Sequence, residues 1–216
     1  LGGVVARIYA QKHSPPNINK LITLGSPHQG VPHVYKALSA GEIETNNTAL
    51  WLSEKIILQL MKGLNPILSH KQVLTNHFPI LRDLLPTYNY LKKSNNQFVD
   101  QNTMSIKNTT TTSYADITLI QPYTKAIYNN SFQSISGYNI QPPSPLDQFF
   151  GNYADGRPLS NLMTSGDGLV TQAAAQVGTI NELITPSGHG ELAYSKKAIE
   201  KIPKVMLLDL YLQTLY

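Results

Sequence analysis

Two short segments, each with a titratable residue between glycines, carry the side chains best suited to acid–base chemistry. Asp167 lies in the sequence S-G-D-G and His189 in S-G-H-G, each just after a strand-like segment. Glycines there let the backbone turn sharply and leave room beside the titratable side chain. In such a pair the carboxylate fixes the imidazole tautomer and stabilises its charged form. We therefore predict that Asp167 and His189 act together in a catalytic site, with side-chain atoms about 2.6–3.2 Å apart.

Other polar residues are weaker candidates for this site. Asp155, in the sequence Y-A-D-G, is the rival acid, but its Pro/Gly-rich surroundings predict a loop. His28 precedes both candidate acids, and we expect it either to line the rim of the site with Ser26 or to pack the loop. The remaining histidines are expected on the surface or in a lid: His13, His33, His70 and His77.

Composition excludes several other classes of protein. The chain has 216 residues, of which 41% are hydrophobic, so one domain with a proper core is expected. The net charge is only +4 and the basic residues are scattered, which argues against a nucleic-acid partner. There is no cysteine and no His/Asp/Glu cluster with metal-ligand spacing, so we expect neither a metal nor another cofactor. The absence of cysteine does not fix the cellular compartment.

The elements that must position these residues begin with a helix and a strand. Leu1 to Gln11 is small and apolar at close spacing, which predicts a helix buried against a sheet. Ile18 to Leu24 is β-branched and is followed by Gly25, which predicts a buried strand leading into a loop. A helix followed so closely by a strand indicates a βαβ unit, and hence a mostly parallel sheet with flanking helices.

The rest of the chain is predicted to be a large insertion followed by a return to the sheet. Residues from about 31 to 130 form the expected helical and loop cap, inserted in a single α/β domain over residues 1–216. The individual predictions are helices at Ala49–Leu64 and Pro66–Thr75, strands at Phe132–Tyr138 and Asn181–Thr185, a loop at Gln141–Leu162, and a closing helix at Ser195–Tyr216 that Pro203 interrupts.

The first predicted cap helix has a wide apolar face. A mobile cap over a binding pocket would use such a face, but the same residues could simply pack on the domain below or touch a membrane surface transiently. The face consists of Leu50, Trp51, Ile56, Ile57, Leu60, Met61 and Leu64.

The order of four segments resembles the α/β-hydrolases, in particular lipase-like members related to lecithin:cholesterol acyltransferases and to GPI-inositol deacylases. Leu1 and Gly2 fit the last two positions of the G-x-S-x-G turn of these enzymes. The other matching segments are T-L-G-S-P-H-Q-G from Thr23, the G-D-G turn around Asp167, and H-G-E-L from His189. The stretch D-L-L-P-T-Y from Asp83 also looks like a recurrent segment of that group.

The resemblance implies a Ser-Asp-His triad whose serine stands immediately before Leu1, in an upstream segment that the printed chain lacks. Asp167 and His189 would complete the triad, and the backbone N–H of Leu1 would donate to the oxyanion. The expected function is hydrolysis of a carboxylic ester of a lipid or other small molecule, with the 216-residue chain inactive by itself. Two alternatives stay open: acyl transfer to an alcohol by the same residues, and a non-catalytic binding module on a hydrolase scaffold.

Overall fold

The computed structural model describes residues 1–13, 18–43, 48–63, 67–178, 180–184 and 187–202. Its helices are α1 (Gly2–Lys12), α2 (His33–Ala40), α3 (Thr48–Gly63), α4 (His70–His77), α5 (Thr110–Ser113), α6 (Pro145–Phe149) and α7 (Gln172–Ala175). Its strands are β1 (Leu21–Leu24), β2 (Leu91–Lys92), β3 (Thr124–Tyr128), β4 (Phe132–Gln141), β5 (Arg157–Gly166) and β6 (Ile180–Leu183). Short 3₁₀ turns occur at Pro79–Leu84, Gln101–Thr103, Gln121–Tyr123 and His189–Glu191.

The chain divides into two compact units, each made of separated segments. Unit 1 comprises Leu1–Gly30, Thr110–Ile135 and Met163–Tyr216, and unit 2 comprises Val31–Thr109 and Ser136–Leu162. Among the described residues, no helix combines the length and apolarity needed to cross a membrane.

Unit 1 is built on a parallel sheet with the strand order β1-β3-β6. Leu21 pairs with Thr124 in the first ladder, and Lys125 pairs with Ile180 in the second. The central strand β3 is buried along its whole length, as expected for a parallel strand that is covered on both faces. Ile127 belongs to a core cluster with Ile184, Leu192 and Ala198. The predicted α/β class, with a mostly parallel sheet, is confirmed.

The first elements of unit 1 were predicted correctly, whereas its central strand was missed. The helix predicted from Leu1 is α1, and the strand predicted from Ile18 is the shorter β1. β3 lies inside the range 31–130 that was expected to be cap. The sequence did not indicate a strand there because Thr124 and Lys125 interrupt its apolar pattern. Both side chains are nevertheless buried.

Unit 2 contains the helices of the predicted cap. α3 and α4 confirm the two helices predicted there, although α4 begins only after Ser69, whose side chain caps it. One core cluster of this unit consists of Ala37, Leu58, Val73 and Leu74, with Ile43, Met61, Leu68, Phe78 and Leu81 packed against it.

The predicted apolar face of α3 is divided in the structure. Met61 packs against the core of unit 2, but Ile56, Ile57 and Leu60 are exposed. Leu64 and the side chains of Leu50 and Trp51 lie outside the part of the chain that is described.

The loop predicted at Gln141–Leu162 is wrong, because this stretch contains α6 and the first part of β5. β5 lies beside β4 in the second sheet, whose order is β2-β4-β5. The Oγ of Ser136 donates to the carbonyl of Leu162, and most of β5 is exposed. This strand is therefore formed by hydrogen bonding to β4. Because most of its residues are exposed, its sequence has no alternating apolar pattern that would have predicted it. Of the predicted closing helix, residues 196–202 are helical, and Pro203 lies outside the described residues.

Candidate active site

A buried carboxylate and a partly exposed imidazole are hydrogen bonded in unit 1. Oδ2 of Asp167 lies 2.7 Å from Nδ1 of His189, within the distance expected from the sequence. The Asp167 side chain is 1% exposed, whereas that of His189 is 33% exposed. The carboxylate is thus shielded from water while one side of the imidazole can meet a ligand. The catalytic role of the two residues stays a prediction.

The loop after β5 fixes the orientation of Asp167. Its Oδ1 accepts hydrogen bonds from the backbone N–H groups of Leu169 and Val170, at 3.0 and 2.7 Å. Ser134 on β4 supports the same loop: its Oγ accepts from the N–H of Gly168 and donates to the carbonyl of Val170. Both bonds are 3.0 Å long and Ser134 is fully buried. The carboxylate is therefore held from its backbone side, independently of the histidine.

The loop that carries His189 is attached at two points. The backbone N–H of His189 donates to the carbonyl of Asp167 at 2.9 Å. The buried side chain of Asn129, which follows β3, donates to the carbonyl of Ser187. Polar residues at the carboxyl ends of parallel strands meet at one edge of a sheet, and this is where sites form in such folds. Sequence reasoning missed both Asn129 and Ser134.

Gly25, directly after β1, leaves the space in which the pair sits. Its φ is +53°, a region that favours glycine. A Cβ at this position would lie 2.5 Å from Leu192, 2.9 Å from Oδ2 of Asp167 and 3.3 Å from Nδ1 of His189. Glycine here is therefore required both by the turn and by the close approach of the Asp167–His189 pair.

Helix α1 begins beside the loop that follows β1 and contains Gly25. Leu1 is its N-cap residue, and the carbonyl of Leu1 accepts from the N–H of Val4 at 2.9 Å. A Cβ on Gly3 would lie 2.0 Å from the Oγ of Ser26, so the helix packs closely against the loop after β1. Ser26 is buried, as is His28, whose position matches packing of the loop better than an exposed rim.

His28 is an uncharged imidazole beside a buried guanidinium. Its Nε2 lies 3.1 Å from Oγ1 of Thr23. Burial, and then the positive charge of Arg7, lower the pKa of His28 from 6.5 to about 3. Burial also lowers the pKa of Arg7. In the described part of the chain, Nε and Nη2 of Arg7 and Nδ1 of His28 have no hydrogen-bond partner.

The other candidates lie in different settings. Asp155, the rival acid, accepts hydrogen bonds from the N–H and the Oγ of Ser105, at 2.8 and 2.7 Å. His13 and His77 are exposed, and His33 and His70 are half-buried. Among the described residues there is no group of three or more His, Asp or Glu side chains that could hold a metal ion.

A parallel sheet with flanking helices, in which the segment after the edge strand β6 carries a His bonded to a buried Asp, is of the α/β-hydrolase type. A family model for palmitoyl protein thioesterases matches residues 1–141, and the chain belongs to this family. The resemblance to α/β-hydrolases is thereby confirmed, and membership supports a hydrolase of lipid-type esters. The match ends before Asp167 and His189, so their assignment depends on geometry. No curated protein matches the chain. The narrower likeness to lecithin:cholesterol acyltransferases and GPI-inositol deacylases stays a prediction.

Proposed function

We propose that this protein hydrolyses acyl esters with a Ser-Asp-His triad to which Asp167 and His189 belong. The observation that carries the proposal is the 2.7 Å contact between Oδ2 of Asp167 and Nδ1 of His189 in a member of a thioesterase family. Because that family is one of palmitoyl thioesterases, we take long-chain acyl thioesters as the substrate class, with oxygen esters as a second class.

In the proposal, each nitrogen of His189 has a separate task. Nδ1 is engaged by Asp167, so Nε2 is the nitrogen that can take a proton from a nucleophile. The bonds from Leu169 and Val170 keep Oδ1 of Asp167 in place, and Oδ2 therefore stays directed at the ring. In this role Asp167 orients the imidazole and stabilises the imidazolium that forms during the reaction.

The nucleophile of the proposal is the serine expected immediately before Leu1. Its Oγ attacks the acyl carbonyl carbon while its proton moves to Nε2 of His189, and the backbone N–H of Leu1 donates to the oxyanion. Collapse of the intermediate breaks the bond to the thiol or alcohol, which leaves with the proton from His189. Water then attacks the acyl-serine by the same route and releases the fatty acid.

The test uses the protein with its upstream segment, assayed on a palmitoyl thioester and on a p-nitrophenyl ester. We expect turnover of the thioester, and a loss of at least about a hundredfold in kcat/KM for His189→Ala, because the general base is removed. The matched control is His13→Ala, because His13 is exposed and lies just after the C-terminus of α1. This variant should keep full activity.

The outcomes separate the proposal from its alternatives. Full activity in His189→Ala would show that this histidine is not the base. Formation of an acylated alcohol instead of free acid would indicate acyl transfer, and binding without turnover would indicate a module that uses the scaffold only for recognition.

A further inference from the structure

Three large apolar side chains project into solvent within five consecutive residues of unit 2. Leu146 is 67% exposed, Phe149 82% and Phe150 63%. The two phenylalanine rings are in edge-to-face contact, with centroids 5.1 Å apart and an interplanar angle of 83°. Contiguous exposed apolar patches are rare on soluble proteins and mark surfaces that bind something. We call residues 146–150 the Phe149 patch.

The backbone under the Phe149 patch is held rigidly, so the exposed side chains are presented rather than left loose. Ser144 and Asp147 form a reciprocal capping box at the start of α6, with Pro145 at its first turn. Asp147 also forms an ion pair with Arg157 on β5, at 3.0 Å. Pro142 and Pro143 restrict the approach to the helix.

The charges around the Phe149 patch are arranged to favour an anionic partner. Nζ of Lys71 donates to the carbonyl of Gly151, the residue that follows the patch. Lys93 lines a surface hollow together with Pro142 and Pro143, the two residues that precede the N-cap of α6. Of the nearby carboxylates, Asp147 forms an ion pair with Arg157, and Asp155 accepts hydrogen bonds from Ser105 and lines the same hollow as Lys93. Lys71 and Lys93 therefore outnumber Asp155 beside the patch. The loop therefore presents an apolar tip flanked by lysines.

We propose that the Phe149 patch inserts into the interface of a phospholipid bilayer that contains anionic lipids. Aromatic side chains are favoured at the depth of the headgroups, and lysines beside them attract anionic headgroups. The exposed face of α3, for which membrane contact was one of the alternatives above, is a weaker candidate because Ile57 also lines an apolar cavity of about 370 Å³ in unit 2. The inference does not depend on the proposed triad.

The experiment measures partition of the protein with its upstream segment onto sedimenting vesicles of phosphatidylcholine, with and without phosphatidylserine. We expect binding to the vesicles that contain phosphatidylserine, and a loss of at least about tenfold in the partition coefficient for the double variant Phe149→Ser/Phe150→Ser. Lys93→Glu should weaken binding to these vesicles by about fivefold or more, and this effect should vanish without phosphatidylserine.

Ile67→Ser is the matched control, because Ile67 is 91% exposed and lies outside the Phe149 patch. It should bind as the unchanged protein does, and circular dichroism should show that all variants are folded. A second readout uses Phe149→Trp, whose emission should shift to the blue when vesicles are added, unlike that of Ile67→Trp. Absence of vesicle binding, equal binding of the double variant, or a dimer that only the double variant disrupts would each overturn the proposal.

Discussion

The two oxygens of the Asp167 carboxylate have different partners, and this division explains how the residue can be positioned before any ligand arrives. Oδ1 is bound by backbone N–H groups of its own loop, and Oδ2 is bound by Nδ1 of His189. The hydrogen bonds from the loop hold the carboxylate in place even if the imidazole moves. The proposed role of Asp167 is thus orientation of His189, which can be separated experimentally from folding.

Replacing Asp167 by asparagine should lower kcat by up to about 10⁴-fold, because an amide oxygen and nitrogen cannot hold the imidazole in the required tautomer as a carboxylate does. Stability should fall little, since the amide oxygen can still accept the two backbone bonds. Asp155→Asn is the matched control and should leave kcat unchanged. A larger loss for Asp155→Asn than for Asp167→Asn would reverse the assignment of the acid.

His28 should make the protein sensitive to acid. Its pKa in the folded state is about 3, against 6.5 as its ordinary value, so folding favours the uncharged ring. This contribution to stability is present above about pH 6.5 and is lost as the pH falls towards 3, and it amounts to about 5 kcal/mol in the free energy of unfolding. In His28→Gln this part of the acid dependence should disappear, whereas exposed His13→Gln should retain it. Urea titrations between pH 7 and 4 measure the difference.

At the scale of elements, the sequence predicts what depends on local pattern. The glycines around Asp167 and His189 and the order of the two residues sufficed to place them at one site. The apolar spacing from Leu1 predicts α1, and the β-branched run predicts β1. The two elements need only neighbouring residues, whereas the contact between Asp167 and His189, which are 22 residues apart, was inferred from two similar glycine-flanked motifs.

What could not be predicted depends on partners far away in the chain. Asn129 binds a carbonyl 58 residues away, and Ser134 supports a loop that begins 34 residues later. Neither side chain has a local motif that reveals such a partner. β3 is hidden for a related reason, because Lys125 in a fully buried strand contradicts the usual apolar pattern.

Ser134 offers a test of how β4 supports the site. Ser134→Ala removes two hydrogen bonds from the Asp167 loop, one to the N–H of Gly168 and one to the carbonyl of Val170, which should cost about 1–3 kcal/mol of unfolding free energy. It should also lower kcat, because the loop carries the proposed acid. Ser136 lies on the same strand as Ser134, and its hydroxyl donates to the carbonyl of Leu162 on β5. Ser136→Ala should therefore cost stability without a comparable effect on kcat. Equal kcat losses would contradict this division.

At the scale of the whole molecule, β1 lies at one end of the strand order β1-β3-β6 among the described strands. The resemblance to α/β-hydrolases implies that the strand leading to the serine pairs along its other side. Without that strand, the backbone groups of β1 and the side chains of Leu21 and Leu24 are a template for pairing with another chain.

We therefore predict that the 216-residue chain expressed by itself aggregates or stays partly unfolded, whereas the chain with its upstream segment is soluble. Size-exclusion chromatography and thermal melting of the two forms provide the comparison. A monomeric profile with a sharp cooperative melt for the 216-residue chain would show that the sheet closes without an additional strand.

The pairing of Leu21 with Thr124 also has a consequence for synthesis on the ribosome. β1 leaves the exit tunnel about a hundred residues before the strand it pairs with, which at about 5–20 residues per second is a wait of several seconds or more. During that interval an apolar strand is available to any other nascent chain. Translation speed between these two segments, and the chaperones present at the tunnel, should therefore influence the yield of folded protein as strongly as the stability of the finished sheet.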